Sequence, residues 1–156
     1  MTGRMVVLVA IAAAVTLTAV AAGGTAATKQ RVAINMKFHE STFVLSPFRA
    51  GALKYDSGTM TGNTANGSCH DVIRDGQKVG VCSGRSTLTG KWGTLTIRTQ
   101  EEWVDSGNAA CGIGFGTWKV VRGTGQYAGI AGGGRSAYEA HCQKWYARHE
   151  GFLTLP

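Results

Sequence analysis

Gly116-Thr-Trp-Lys-Val-Val-Arg-Gly-Thr-Gly-Gln-Tyr-Ala-Gly-Ile-Ala-Gly-Gly-Gly-Arg135 is the stretch whose reading decides the fold. An apolar-rich run leads into a tight glycine turn and out into a second, glycine-rich extended segment. The turn Gly123-Thr-Gly125-Gln-Tyr-Ala128 satisfies G-x-G-x-x-G/A, the dinucleotide-binding spacing. That spacing works only where a helix begins on its last glycines and aims its amides at the pyrophosphate. Here the chain continues Gly129-Ile-Ala-Gly-Gly-Gly134, and glycine costs a helix interior about 1 kcal/mol per residue. No acidic residue stands about 20 positions on, in the window around Gln143 to Tyr146, to hold a ribose, and no Gly-Lys-Ser/Thr triplet offers a P-loop. The stretch reads as two strands joined by a structural turn, with no cofactor implied.

Working outward, 23 glycines against 2 prolines, with many threonines, point to short strands and tight turns. Arg31 to Phe38 alternates, with Val32, Ile34, Met36 and Phe38 on one face. Strands are further expected over 41–46, 57–64, 69–74, 78–89, 94–104, 113–122, 130–142 and 148–155, with a glycine bend at Gly84. Asp75-Gly76 is a preferred type I′ pair. A two-residue turn there pairs Arg74 with Gln77 and, stepping outward, Cys69 with Cys82 at a non-hydrogen-bonded site. Such sites bring Cα atoms about 4.5 Å apart, at the short edge of disulfide range. Cys69–Cys82 is therefore the expected bridge, and Cys111–Cys142 follows by elimination. Zinc is the competing use of Cys69-His70 and His141-Cys142. Adjacent residues on a strand face opposite ways, however, and no C-x-x-C or H-x₃-H spacing is present.

Arg4 followed by the apolar run Met5–Val20 and a small-x-small site at Ala19-Val-Ala21 reads as a signal peptide, with a second candidate cut after Ala27. The expectation is a leader over 1–27, membrane contact only in transit, and a single domain over 28–156 in a secreted or periplasmic location. An even cysteine count fits that compartment. The net charge of +7 comes from singly placed residues such as Lys37, Arg85, Arg98, Lys119 and Arg122. Without a basic run, nucleic acid is not an expected partner. A weak preference for anionic surfaces or ligands is. Nothing in the sequence indicates an oligomeric state.

The pattern GTW-x-V-x-x-GTG-x-YAG-x-x-G-x-G-R resembles small secreted bacterial proteins grouped with the allene oxide cyclase and dirigent β-barrels. The resemblance covers residues 80–135 well and the N-terminal strands loosely. It implies an all-β, closed antiparallel eight-stranded barrel with a cavity at one mouth. Periodicity alone leaves a two-sheet sandwich open, since either arrangement protects sheet edges.

An eight-stranded interior either fills with side chains or holds one small ligand. On 94–104, Leu95, Ile97, Thr99, Glu101 and Trp103 share the inward parity. Glu101 would then be a carboxylate at the wall, its pKa raised by desolvation and suited to acid–base work. A hydrated or salt-bridged rim position is the plainer alternative, and it is the favoured one. Tyr138, Glu139, His141, Trp145 and Tyr146 form a second polar–aromatic cluster, and Trp118 belongs to the turn signature. Thr99, Trp103, Trp118, Tyr138 and His141 are the candidate ligand-binding residues, and Glu101 is the candidate catalytic group. A Ser-His-Asp hydrolase is not supported, since no G-x-S-x-G elbow exists. Three functions stay open: binding a small apolar or weakly anionic molecule, isomerisation or cyclisation by confinement, and protein contact through exposed loops at Ser57–Ser68 and Asp105–Ala110.

Overall fold

A computed structural model describes residues 28–38, 42–46, 55–62, 67–108, 111–141 and 144–156. They form β1 (Lys29–Lys37), β2 (Thr42–Ser46), β3 (Asp56–Thr61), β4 (Ser68–Arg74), β5 (Gln77–Gly90), β6 (Gly93–Asn108), β7 (Cys111–Gly123), β8 (Ala131–His141) and β9 (Lys144–Thr154). All pairings are antiparallel, in the order β3-β2-β1-β9-β8-β7-β6-β5-β4, and a β3–β5 pairing turns the sheet into a ring. The strands belong to one continuous sheet, not two. The expected leader 1–27 lies outside the described residues.

The ring closes because β5 changes partner along its length. Its first half, Gln77–Ser83, pairs with β4, and its last residues, Thr87–Gly90, pair with Gly58–Thr61 of β3. The strand runs unbroken through Gly84, where a bend was expected. The β4–β5 hairpin is the predicted one: Asp75 and Gly76 have φ of 50° and 79°, and the register pairs Arg74 with Gln77 and Cys69 with Cys82. The disulfide forms at a Cα separation of 4.1 Å. Cys111 is also disulfide-bonded, and its expected partner, Cys142, lies outside the described residues. Replacing Cys69 and Cys82 together by serine is expected to lower the unfolding free energy by about 2–3 kcal/mol, as loop entropy returns to the unfolded chain. Urea denaturation with and without reductant checks this, since the double variant should no longer respond to reductant at this bridge.

The interior takes every second residue. Val32, Ile34 and Met36 of β1 are buried, as their alternation requires, and they pack with Phe43, Leu45, Leu88, Leu95, Ile97, Trp118 and Leu153. Two expectations about loops need correcting. Most of the 57–62 stretch is strand β3, and β6 runs on to Asn108, because each has a neighbouring strand to hydrogen-bond. Residues 63–66 and 109–110 lie outside the described residues. The last strand begins at Lys144, not at 148, because β8 offers partners from His141 onward.

The glycine turn after β7 holds a single 3₁₀ turn, Gly125–Tyr127, between antiparallel β7 and β8. Gly125 and Gly129 have φ of +61° and +74°, the left-handed region that glycine enters without strain. Tyr127 is 1% exposed, and its hydroxyl donates to the Asp56 carboxylate at 2.5 Å. Asp56, itself 3% exposed, also accepts from the backbone N–H of Ser57 (2.8 Å), Lys91 (3.0 Å) and Trp92 (3.3 Å). A Cβ at Gly90 would collide with this carboxylate. One buried side chain thus ties the start of β3 to the β5–β6 turn and to the β7–β8 connection.

Candidate functional site

The register stacks the inward residues in rows that cross the sheet. One row joins Trp103, Gly114, Tyr138, Ala147, Met36 and Phe43, and the next joins Cys82, Glu101, Gly116, Ser136, His149 and Ile34. Glycines on β7 make the space. A Cβ on Gly112 or Gly114 would come within 2.6 and 3.0 Å of the Trp103 indole, so this wall is cut to the ring.

The parity expected on β6 holds. Leu95, Ile97, Thr99 and Glu101 are buried, with Trp103 partly so. Glu101, at 6% exposure, is in the wall and not at a hydrated rim, and it accepts a hydrogen bond from the Tyr138 hydroxyl. Beside this pair lies a cavity of about 160 Å³ lined by Cys69, Cys82, Glu101, Trp103, Tyr138 and Trp145, among others. Trp103 and Trp145 stack at 4.9 Å between centroids, 17° from parallel, and form one side of it. An apolar slot with aromatic walls and a carboxylate–phenol pair can bury a ring and hold one polar atom of it.

Below Tyr138 sits His149, with no measurable exposure. Its ring lies 5.7 Å from Tyr138, edge-on, and 6.0 Å from Trp118. Neither imidazole nitrogen has a hydrogen-bond partner among the described residues, and the hydroxyl of its cross-strand neighbour Ser136 has none either. Burial holds the His149 pKa down at about 3, so the ring is neutral at physiological pH.

The predicted site residues separate. Glu101, Trp103 and Tyr138 meet at the cavity, and Thr99 lies one row deeper, 3% exposed. Trp118 is a core residue whose indole N–H donates to the Glu150 carbonyl at 3.2 Å. It does not line this cavity. His141 does not belong to the site: it is exposed and pairs with Glu139 at 2.8 Å on the outer face, since odd-numbered residues of β8 point outward. Sequence reasoning missed His149 and the disulfide as a wall, and it grouped Trp145 with Tyr138 without making it a ligand-binding residue. His149 left a trace, because Ala147, His149, Gly151 and Leu153 share the inward parity and a lone imidazole there must be buried. Trp145 stood in the polar–aromatic cluster, but starting the last strand at 148 gave it no inward parity.

A larger depression, about 540 Å³, lies across β7, β8, β9, β1 and β2; outward residues such as Val44, Ile113, Ala137 and Arg148 line it, together with Phe43 and Tyr138 of the inward row. Searches against protein-family models, curated proteins and solved structures found no match to this chain.

Proposed function

We propose that the chain is an exported β-barrel that binds a small, mainly apolar molecule at one mouth, between the Trp103–Trp145 stack and the Glu101–Tyr138 pair. The single observation that carries this reading is the aromatic-walled cavity ending on a buried carboxylate. Its volume suits a one-ring molecule, since an apolar cavity of about 150 Å³ accepts benzene. The ring closure of the sheet and the resemblance of the Gly123–Gly129 turn to allene oxide cyclase and dirigent barrels support the barrel. The disulfides are compatible with an oxidising compartment outside the cytosol. Of the two ligand characters expected, the apolar one is favoured: Trp103, Trp145, Tyr138 and the disulfide wall the cavity, and no Lys or Arg is buried among the described residues.

Titration with toluene and phenol, followed by tryptophan fluorescence, tests the reading. A saturable change is expected for both. Phenol should bind more tightly, because its hydroxyl can donate to Glu101, and Trp145→Ala should abolish the response. A folded protein that gives no saturable change with either compound would sink the proposal. A second reading, isomerisation by confinement, draws on one feature: the Glu101–Tyr138 hydrogen bond sets a proton donor and a carboxylate at the cavity wall. Turnover of a retained native ligand, lost in Glu101→Gln, would favour it.

A further inference from the structure

We propose that the outer face of β5, β6 and β7 is a second site, separate from the mouth cavity, which binds a polysaccharide through its sulfate or phosphate groups. The register sets Arg85 opposite Arg98 and Arg98 opposite Lys119. Three cations thus stand abreast on three adjacent strands, at steps of about 4.8 Å. Arg122 joins them opposite Thr96, the neighbouring outward position on β6.

Like charges set directly opposite destabilise a sheet, so such a row needs a reason. None of the four cations has a carboxylate partner among the described residues. Ion pairs formed elsewhere among the described residues include Arg74–Glu102, Lys78–Asp71, His141–Glu139 and Arg148–Glu150. Glu102 and Glu150, the carboxylates of nearby strands, are therefore already engaged. Within the row lies a depression of about 160 Å³ lined by Arg98, Gln100, Thr117, Trp118 and Lys119. Two cross-strand pairs bracket it, Arg98 with Lys119 and Gln100 with Thr117. They bring a guanidinium, an ammonium, an amide and a hydroxyl to one place, a donor set suited to a tetrahedral oxyanion. The cations on either side would meet the next charges of an extended chain.

The surroundings favour a polysaccharide over other polyanions. Binding single-stranded nucleic acid needs exposed rings interleaved with the cations for the bases to stack on. Trp118 is buried, and the nearest exposed rings do not alternate with the cations: Phe115 stands opposite Glu102, and Phe152, beyond Gly133, carries the Lys29 ammonium on its face at 4.5 Å. An anionic bilayer calls for a cluster of apolar side chains that enter the interface, whereas Gln100 and Thr117 line this depression and the exposed Val121 stands singly between Lys119 and Arg122.

The test uses the whole chain and heparin as the probe, with affinity measured between 50 and 200 mM salt. Arg98→Gln/Lys119→Gln is expected to weaken binding at least tenfold at 100 mM salt. The slope of log affinity against log salt should flatten by about 0.7–0.9 for each charge removed. Lys91→Gln/Lys144→Gln removes the same net charge away from the row and is expected to cost less than threefold. The first variant should melt no lower than wild type, because it relieves repulsion. If it does melt lower, Arg85→Gln/Arg122→Gln carries the same expectation. Equal losses in the row variant and the control would reduce the effect to net charge and overturn the proposal. So would no heparin binding by wild type at 50 mM salt, or tighter binding to phosphatidylserine vesicles or to an oligothymidylate than to heparin.

Discussion

Asp56→Ala is expected to lower the unfolding free energy by about 4 kcal/mol, and with it the melting temperature by roughly 10–20 °C. The size follows from what the carboxylate holds. Its removal strands the Tyr127 hydroxyl and the N–H groups of Lys91 and Trp92 in or near the interior, and each buried donor left unpaired costs about 1–3 kcal/mol. Tyr127→Phe removes one donor and leaves the carboxylate its backbone partners, so a smaller loss of about 1.5–3 kcal/mol is expected for a hydrogen bond to a charged group. The double variant should lose less than the sum, because the two side chains act through one contact. Urea denaturation of the four proteins decides the matter. An Asp56→Ala protein melting within a few degrees of wild type would show that the contact does not hold the ring together.

The second large effect is one of pH. His149 titrates at about 3 in the folded protein and near 6.5 in the unfolded chain. Between those values the unfolded state binds a proton that the folded state refuses, so stability falls as pH falls. The contribution is complete above pH 6.5 and is lost progressively down to about pH 3, to a total of about 4–5 kcal/mol. Carboxylates titrate over the acid half of the same window, so the wild-type curve alone cannot isolate the histidine. His149→Leu does so. At pH 7 it should be as stable as wild type or more so, since it removes two nitrogens that have no partner. The difference between the two proteins should then widen steadily from pH 6.5 to pH 4. Parallel curves for the two proteins would mean that the imidazole is hydrated or paired in solution.

What the sequence disclosed follows the range of the forces involved. The Asp75-Gly76 turn and the Cys69–Cys82 bridge were legible because a two-residue turn fixes register locally and the cysteines need only be counted outward. The inward face of β6 was legible because Leu95 and Ile97 declare its parity and Glu101 inherits it. The Asp56 contact was not legible. Asp56, Lys91 and Tyr127 meet only once three separate turns converge, and a lone aspartate ahead of a strand resembles many exposed ones. The exchange of partners along β5 was hidden for the same reason, since no local signal reports which strand lies beside Thr87. The basic row is the sharpest case. Arg85, Arg98 and Lys119 look scattered along the chain, and only the pairing of β5, β6 and β7 sets them side by side.

The pairing of β1 with β9 has a consequence for how the fold can be reached. Nine residue pairs, from Lys29 with Thr154 to Lys37 with Tyr146, join the first described strand to the last. Hairpins such as β4–β5 and β8–β9 can form from local chain, but this seam must wait for both ends to arrive. Contacts so distant in sequence slow folding, because loop-closure entropy is lost before they form. Until the seam zips, the outer edges of β1 and β9 stand open together, each a template for a neighbouring molecule. Aggregation should therefore compete with folding late on the pathway, in a chain already rich in native hairpins, and conditions that hold the two ends together should suppress it.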